Sequence, residues 1–450
     1  MTSLYTQLVS KVLFRLHERL KGHTTYSMLH RLEQSQWLTP EQIAALQQQR
    51  LEAFIADISQ HSRYYQQLFA AQGLSASDIR TVADLSKLPF LTKQLITDNQ
   101  HTLCSEPQTQ LQRYNTGGSS GVPLIFYMGE ARVSHDVAAK LRATRWWGVD
   151  IGDPEVVLWG SPIELGKQDR IKKIRDELFR SYLLPAFEFT PAHIEAYLQQ
   201  LQQLKPRMLF GYPSVIHQLA LAAEARQLSL SKLGIKVVFV TSEMLFEHQR
   251  TVIERVFACP VANGYGARDA GFIAHQCPAG SLHISAEDII VEIIGDNGQV
   301  LPVGETGEIV ITHLQTQAFP FVRYRTGDMG QLSNTPCSCG RGLPVLAHVS
   351  GRTTDFMLTT AGDKLHALSL IYVLRDLKEI RQFKIIQQSL QEVEVQLVCN
   401  EALSDTLAAQ IISQFQQRLG AECQITLKQL DVIASLPNGK HRYVESKLDY

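Results

Sequence analysis

The stretch Asn115-Thr116-Gly117-Gly118-Ser119-Ser120-Gly121 puts three glycines and three hydroxyl side chains into seven positions, a composition suited to holding an anion. Glycines let backbone amides close around phosphate oxygens, and Thr116, Ser119 and Ser120 add donors of little bulk. The stretch has no lysine and does not fit GxxxxGK[ST], which disfavours an ordinary NTPase loop. Downstream, Asn263-Gly264-Tyr265-Gly266-Ala267-Arg268-Asp269 follows the apolar segment VFACPVA. Its flanking glycines leave the face of Tyr265 free to stack on a purine, and the Asp269 carboxylate suits Mg²⁺ held against phosphate oxygens. In Arg323-Tyr324-Arg325-Thr326-Gly327-Asp328 a carboxylate follows a Thr-Gly turn, where it can accept from both hydroxyls of a ribose. Gly351-Arg352-Thr353-Thr354-Asp355 comes next, and Pro437-Asn438-Gly439-Lys440-His441-Arg442 places a lysine on a tight turn near the end. Such a lysine can bring a point charge to a carboxylate and a phosphate as their repulsion is overcome. Taken singly, each stretch also reads as an ordinary polar turn.

Cys337 and Cys339, in PCSCGRG, form the one close pair among seven cysteines spread from Cys104 to Cys423, which is not the framework of a small disulfide fold. Two thiolates one residue apart suit two corners of a Zn²⁺ tetrahedron. Cys277 and His283, in HQCPAGSLH, supply the other two, with His275 as the substitute for His283. No catalytic step needs a thiol here, so the expected zinc is structural; the alternative is a reduced loop pair. Tyr212, in FGYPS, falls between a strand end and a helix start and is a pocket candidate. Trp146 and Trp147 read as core packing.

The elements that must position these residues fall into three stretches. From Leu4 to about Gln72 apolar residues recur at helical spacing, with Thr39 and Pro40 supplying a cap and first turn. The opening could lie on a membrane as a basic amphipathic helix, but its charge is modest and packing against the body is the reading preferred here. From about 100 to 330, short strand candidates such as VVLWG, RMLFGYP, KVVFVTSE and GEIVITHL alternate with helical stretches, which predicts α/β layers. Near residue 351 the pattern changes to an α+β set, with FKIIQQ, EVEVQLVC and QITLKQL as strands around the helix DTLAAQIISQFQQRLG. The chain of 450 residues is 44% hydrophobic and 19% charged, as globular chains are, and its net charge of −1 gives no field toward nucleic acid or anionic lipid. It has no apolar run of membrane-spanning length, and Lys11 and Arg15 interrupt any signal-peptide core, so a cytoplasmic protein is expected.

In this order, the five stretches resemble those of the adenylate-forming enzymes, and over roughly residues 50–450 the chain is similar to their phenylacetate-CoA ligase-like branch. The resemblance implies a large multilayer N-terminal ATP-binding domain, residues 1–354 with 1–75 mostly helical, and a small mobile α+β C-terminal lobe, residues 355–450, carrying Lys440. It implies activation of a carboxylic acid as acyl-AMP with release of pyrophosphate, then transfer to the thiol of CoA. By motif, Thr116, Gly117, Gly118, Ser119, Ser120 and Gly121 would grip the triphosphate. Ser242 and Glu243 would line the adenine pocket, and Tyr265, between Gly264 and Gly266, would stack on adenine. Asp328 would take the ribose with help from Arg352, Asp355 would be the hinge, Asp269 would serve Mg²⁺, and Lys440 would be the adenylation lysine. The acceptor is not written in these motifs: a carrier protein, an amine or a sugar would use the same first step, and a silent nucleotide-binding protein is the non-enzymatic alternative. The basic run Arg170, Lys172, Lys173 and Arg175 could meet the 3′-phosphate of CoA, although its interspersed acids favour a solvated helix face. Two departures stand out. The loop continues Gly121-Val122-Pro123-Leu124 where lysine or threonine usually closes it, and Arg268-Asp269 stands where a small hydroxyl and glutamate are usual.

Overall fold

Helix-forming sequence dominates the first hundred residues. Thr39 caps the longest helix, Pro40–His61: its hydroxyl accepts from the Gln42 amide, the Gln42 side chain answers to the Thr39 amide, and proline occupies the first turn. The apolar stripe Ile43, Leu51, Phe54, Ile55 and Ile58 is buried against the sheet core. The computed structural model describes residues 3–107, 111–116, 124–159, 170–186, 191–352, 356–362, 364–366, 368–375, 377–434 and 442–448. The chain divides into two compact units, Met1–Ser350 and Gly351–Tyr450.

The first unit is built on an eleven-stranded sheet ordered β10-β11-β12-β13-β9-β8-β7-β6-β5-β3-β4. Its strands are β3 (Glu155–Trp159), β4 (Ser181–Pro185), β5 (Met208–Gly211), β6 (Val237–Thr241), β7 (Val261–Ala267), β8 (Gly271–Gln276), β9 (Leu282–Ile284), β10 (Ile289–Ile294), β11 (Thr306–His313), β12 (Phe321–Ser333) and β13 (Val345–Arg352). Strands β3 to β7 are parallel, and the sheet turns antiparallel at the β7–β8 pair. The central parallel strands β5 and β6 are short runs buried at every residue, as strands covered on both faces are. A separate antiparallel hairpin, β1 (Gln112–Asn115) with β2 (Ile125–Met128), brackets the glycine- and serine-rich stretch, of which residues 117–123 lie outside the described residues.

The second unit holds a four-stranded sheet ordered β18-β17-β16-β19, made of β16 (Ile380–Gln387), β17 (Glu392–Cys399), β18 (Gln424–Gln429) and β19 (Val444–Ser446). Helix Asp405–Leu419, capped by Ser404, buries Ile411, Phe415 and Leu419. A small hairpin pairs β14 (Phe356–Leu358) with β15 (Lys364–His366). The architecture is thus α/β in the large unit and α+β in the small one. No described helix is long and apolar enough to cross a membrane.

Candidate active site and thiol cluster

The C-terminal ends of the parallel strands, where the sheet changes from parallel to antiparallel, gather most of the described candidate residues, as expected at a topological switch. Gly264 and Gly266 are required by close approach: a Cβ on Gly264 would lie 2.7 Å from Cε1 of Phe239, and one on Gly266 would lie 2.3 Å from the Gly271 carbonyl. These contacts seat β7 so that Tyr265, half-buried, turns its hydroxyl to Asp328 and donates to Oδ2 at 3.0 Å. Asp328 reaches that position by an irregularity in β12. Thr326, Gly327 and Asp328 bulge out between the Arg325–Val310 and Met329–Glu308 pairs, with Gly327 at φ +75°. The Thr326 hydroxyl donates to the Ile309 carbonyl at 2.7 Å and accepts from the Asp328 amide at 3.0 Å, which locks the bulge. The Thr-Gly turn expected to present Asp328 is therefore a bulge within a strand.

Ser242 follows β6 in the left-handed region at φ +69°, a conformation that costs a non-glycine residue energy and that concentrates at functional sites. The Glu243 carboxylate accepts from the Ser214 amide at 3.2 Å and so caps the helix Pro213–Ala225. Tyr212 is buried and stacks on Trp159 with ring centroids 4.5 Å apart. Asp269 is buried: one carboxylate oxygen accepts from the Tyr324 hydroxyl at 2.6 Å, the other from the Ala270 amide at 3.1 Å.

Arg268, next to it, is exposed, and its Nη1 donates to the Asn115 carbonyl at 3.1 Å, joining the β7–β8 turn to the base of the β1–β2 hairpin. At that base the Thr116 amide donates to the Leu124 carbonyl at 3.0 Å and its hydroxyl accepts from the Leu124 amide at 2.9 Å, while the Leu124 side chain is buried. Behind the turn, Arg132 donates to the Arg268 and Asp269 carbonyls, each at 3.3 Å, and its Nε donates to Asp136. Burial alone would raise the Asp136 carboxyl, but Arg132 and the flanking His135 and His313 hold it far below the usual carboxylate range. Burial, reinforced by Arg132, pushes His313 down to about 3, so it is a neutral ring against Gly271. This network escaped the sequence reading, since an Arg-Asp pair four residues apart on a helix looks like a surface pair. Gly117 to Gly121, Asp355 and Lys440 lie outside the described residues, and Arg352 is described by its backbone at the end of β13.

The second assembly is the thiol cluster. The Sγ atoms of Cys277, Cys337 and Cys339 and a ring nitrogen of His283 all lie within 4.8 Å of one another. Cys277 Sγ is 3.6 Å from Cys337 Sγ, too far for a disulfide and close to the edge of about 3.8 Å that a Zn–S distance near 2.3 Å gives a tetrahedron. His283 Nδ1 lies 3.1 Å from the Leu343 carbonyl and Nε2 3.2 Å from Cys339 Sγ. Donation from Nδ1 to that carbonyl leaves the Nε2 lone pair directed at the thiols, as a histidine that ligates through Nε2 requires. Each half is a Cys-x-x-Gly turn closed by the glycine amide on the cysteine carbonyl, with Gly280 at φ +96° and Gly340 at φ +80°. That repeated turn was a signal available in the sequence. His275, the expected substitute, is elsewhere: although it pairs with His283 across β8 and β9, its buried ring stacks on Phe272 and tilts against Phe239. Trp146 packs edge-on to His283, and the Trp147 indole donates to the Gln276 carbonyl, so both tryptophans brace this region.

Residues 180–316 match the AMP-binding enzyme family, and residues 357–447 match the CapK C-terminal domain. The chain is 25% identical over 402 residues to Protein CapK of Staphylococcus aureus, covering 88% of each, and 23% identical over 399 residues to a phenylacetate-coenzyme A ligase of Thermus thermophilus, covering 84% of this chain and 86% of that one. Among solved structures, 2-hydroxyisobutyryl-CoA ligase in the postadenylation state superposes with a TM-score of 0.75 at 18% identity, over 92% of this chain and 91% of that one. The fold is that of the adenylate-forming ligases. Within that superfamily, the chain is similar over most of its length to Protein CapK and to the phenylacetate-CoA ligases.

The cluster yields an expected result of its own. Protein purified without chelator should carry about one zinc per chain, and the double variant Cys337→Ser/Cys339→Ser should lose the metal and melt several degrees lower. The destabilisation follows from position, since the cluster ties the end of β8 and strand β9 to the connection between β12 and β13. Elemental analysis alongside thermal unfolding checks it, and a metal-free protein with unchanged melting would reject the site.

Proposed function

We propose that this protein condenses a carboxylic acid with ATP to give acyl-AMP and pyrophosphate, then transfers the acyl group to the thiol of CoA. The observation that carries the reading is the hydrogen bond from Tyr265 to Asp328, which joins the aromatic face proposed for adenine to the carboxylate proposed for ribose across 63 residues of sequence. An adenosine is recognised by such a pair. Asp269 lies on the turn that follows β7, and with both oxygens already accepting hydrogen bonds its carboxylate suits a Mg²⁺ ion reached through water. Bound there, Mg²⁺ would supply positive charge against the phosphates; the chain's part is to hold the turn, through Arg132, and to place the acid on it. The large unit would run to the boundary near residue 354, with Lys440 on the lobe beyond it, and the zinc would be structural. Cytoplasmic ATP and CoA would be the co-substrates. ATP–pyrophosphate exchange with aromatic, fatty and hydroxy acids, followed by CoA-thiol consumption, tests the reading. Exchange without thiol consumption would give the second half-reaction to a carrier protein, an amine or a sugar, and no exchange with any acid would favour a silent nucleotide-binding protein.

Arg268 has a place in this scheme. Leu124 is buried and offers no polar group where the branch usually has one, while Arg268 is exposed at the base of the same hairpin. A guanidinium there supplies the missing donor and positive charge to the triphosphate. Arg268→Ala is expected to raise the KM for ATP by roughly tenfold, the loss of one charged hydrogen bond, with the acid KM little changed. The reverse pattern, in steady-state kinetics varying each substrate, would assign the arginine to the acid.

A further inference from the structure

The segment Leu4–Leu20 carries two apolar stripes on opposite sides. Thr6, Val9, Ser10, Phe14 and Glu18 are buried, and Val9 and Phe14 pack with Met28, Leu29, Leu141 and Phe179. The Thr6 hydroxyl donates to Asp153 at 2.9 Å and the Tyr5 hydroxyl to the Leu178 carbonyl at 2.8 Å, so the segment is fixed to the body. Leu4, Leu8, Val12, Leu16 and Leu20 recur every fourth residue, each offset by two from a buried position, and between 47% and 86% of each is exposed. Two residues along a helix is about half a turn, so the outward stripe is diametrically opposed to the packed one. Residues Val9–Leu13 form a π turn between the α-helical ends Leu4–Leu8 and Phe14–Leu20. Its wider winding keeps an every-fourth-residue stripe on one side; in an uninterrupted α-helix that spacing would wind around the axis. A row of leucines held open to water by a well-packed helix marks an interaction surface.

Charge identifies what it meets. Lys11, Arg15 and Arg19 are exposed, each one position before Val12, Leu16 and Leu20, so a cationic row borders the apolar one. The acid among residues 3–22 is Glu18, which is buried and accepts from Thr25 and lies 3.0 Å from His17 and His23. A second copy would pair this patch with itself, bringing no acid to meet the cations. Lipid phosphates do meet them, while acyl chains take the leucines and the long cationic stems snorkel to the headgroups. On the neighbouring helix Arg170–Leu178, Ile174 and Leu178 are also exposed, one turn apart.

We propose that the outward face of Leu4–Leu20 docks the protein on an anionic lipid bilayer, the helix axis lying in the headgroup plane. The sequence alone set packing against the body and lying on a membrane as alternatives; the two stripes let one segment do both.

Flotation of the full chain with vesicles of phosphatidylcholine containing about one-third phosphatidylglycerol tests this. The chain should float with these vesicles at low salt, and at least about tenfold less should bind to pure phosphatidylcholine or in 0.5 M salt, where screening shortens the reach of the cations. Leu8→Gln/Leu16→Gln and, separately, Lys11→Glu/Arg19→Glu should each cut binding about tenfold. Both pairs are exposed, so thermal unfolding and pyrophosphate exchange in the absence of lipid should match the unsubstituted chain. Failure to float with the anionic vesicles, or binding that neither pair reduces, would overturn the proposal. So would a concentration-dependent dimer, seen by sedimentation, that the leucine pair abolishes while lipid binding is absent.

Discussion

Lys440→Ala is expected to slow acyl-AMP formation, read as ATP–pyrophosphate exchange, by roughly 10²-fold or more, the scale of losing one electrostatic contact made in the transition state. The reason lies in the reaction proposed for this chain. A carboxylate must approach the α-phosphorus of a polyanion, and the repulsion between them peaks as the new bond forms. A point charge on a four-carbon stem would offset it at that moment. Thioester formation from supplied acyl-AMP begins after that repulsion is gone, so the same variant should perform it at close to the normal rate. Measuring the two half-reactions separately decides the matter: an equal loss in both would make Lys440 a structural residue. Lys440→Arg, which keeps the charge but replaces the compact ammonium by a planar fork, should recover only part of the exchange rate.

What could be read in advance was local. The cap at Thr39 with Pro40 in the first turn and the apolar runs of β5 and β6 are signals of a few neighbouring residues, and their elements formed where the spacing put them. The stretches that bring Tyr265 to Asp328 were visible as types and spacings, but the Thr326–Asp328 bulge was not, because its register depends on strand β11, whose pairing no local pattern encodes. The choice between His275 and His283 had the same character. Both sit on one hairpin, directly opposite each other, and which ring meets the thiols is settled by the Leu343 carbonyl, sixty residues away, and by Phe239 and Phe272 enclosing the other. Arg132 illustrates the limit most plainly. Its pairing with Asp136 is local, but its service to the Arg268 and Asp269 carbonyls spans more than a hundred residues, and a charged helical pair carries no mark of that.

Asp328→Ala should weaken ATP binding by at least roughly 10²-fold, since a carboxylate that accepts from two ribose hydroxyls makes two charge-assisted hydrogen bonds, each worth about 1.5–3 kcal/mol. The fold should survive. Asp328 is half-buried on a bulge whose geometry is held by Thr326 and by the Gly327 amide donating to Glu308, none of which needs the Asp328 side chain. Tyr265→Phe removes the donor that aims this carboxylate but leaves the carboxylate itself, so its cost should be smaller, about one ordinary hydrogen bond or roughly fivefold. The decisive comparison uses a nucleotide without the ribose hydroxyls. If Asp328 reads the ribose, 2′,3′-dideoxy-ATP should already bind poorly to the unsubstituted protein, and Asp328→Ala should weaken it little further, because the partners are gone from the ligand side. The cycle of two proteins and two nucleotides then shows a coupling close to the whole effect. If the variant instead weakens both nucleotides equally, its effect runs through the shape of the site, by way of the freed Tyr265 hydroxyl, and the carboxylate is not the ribose acceptor.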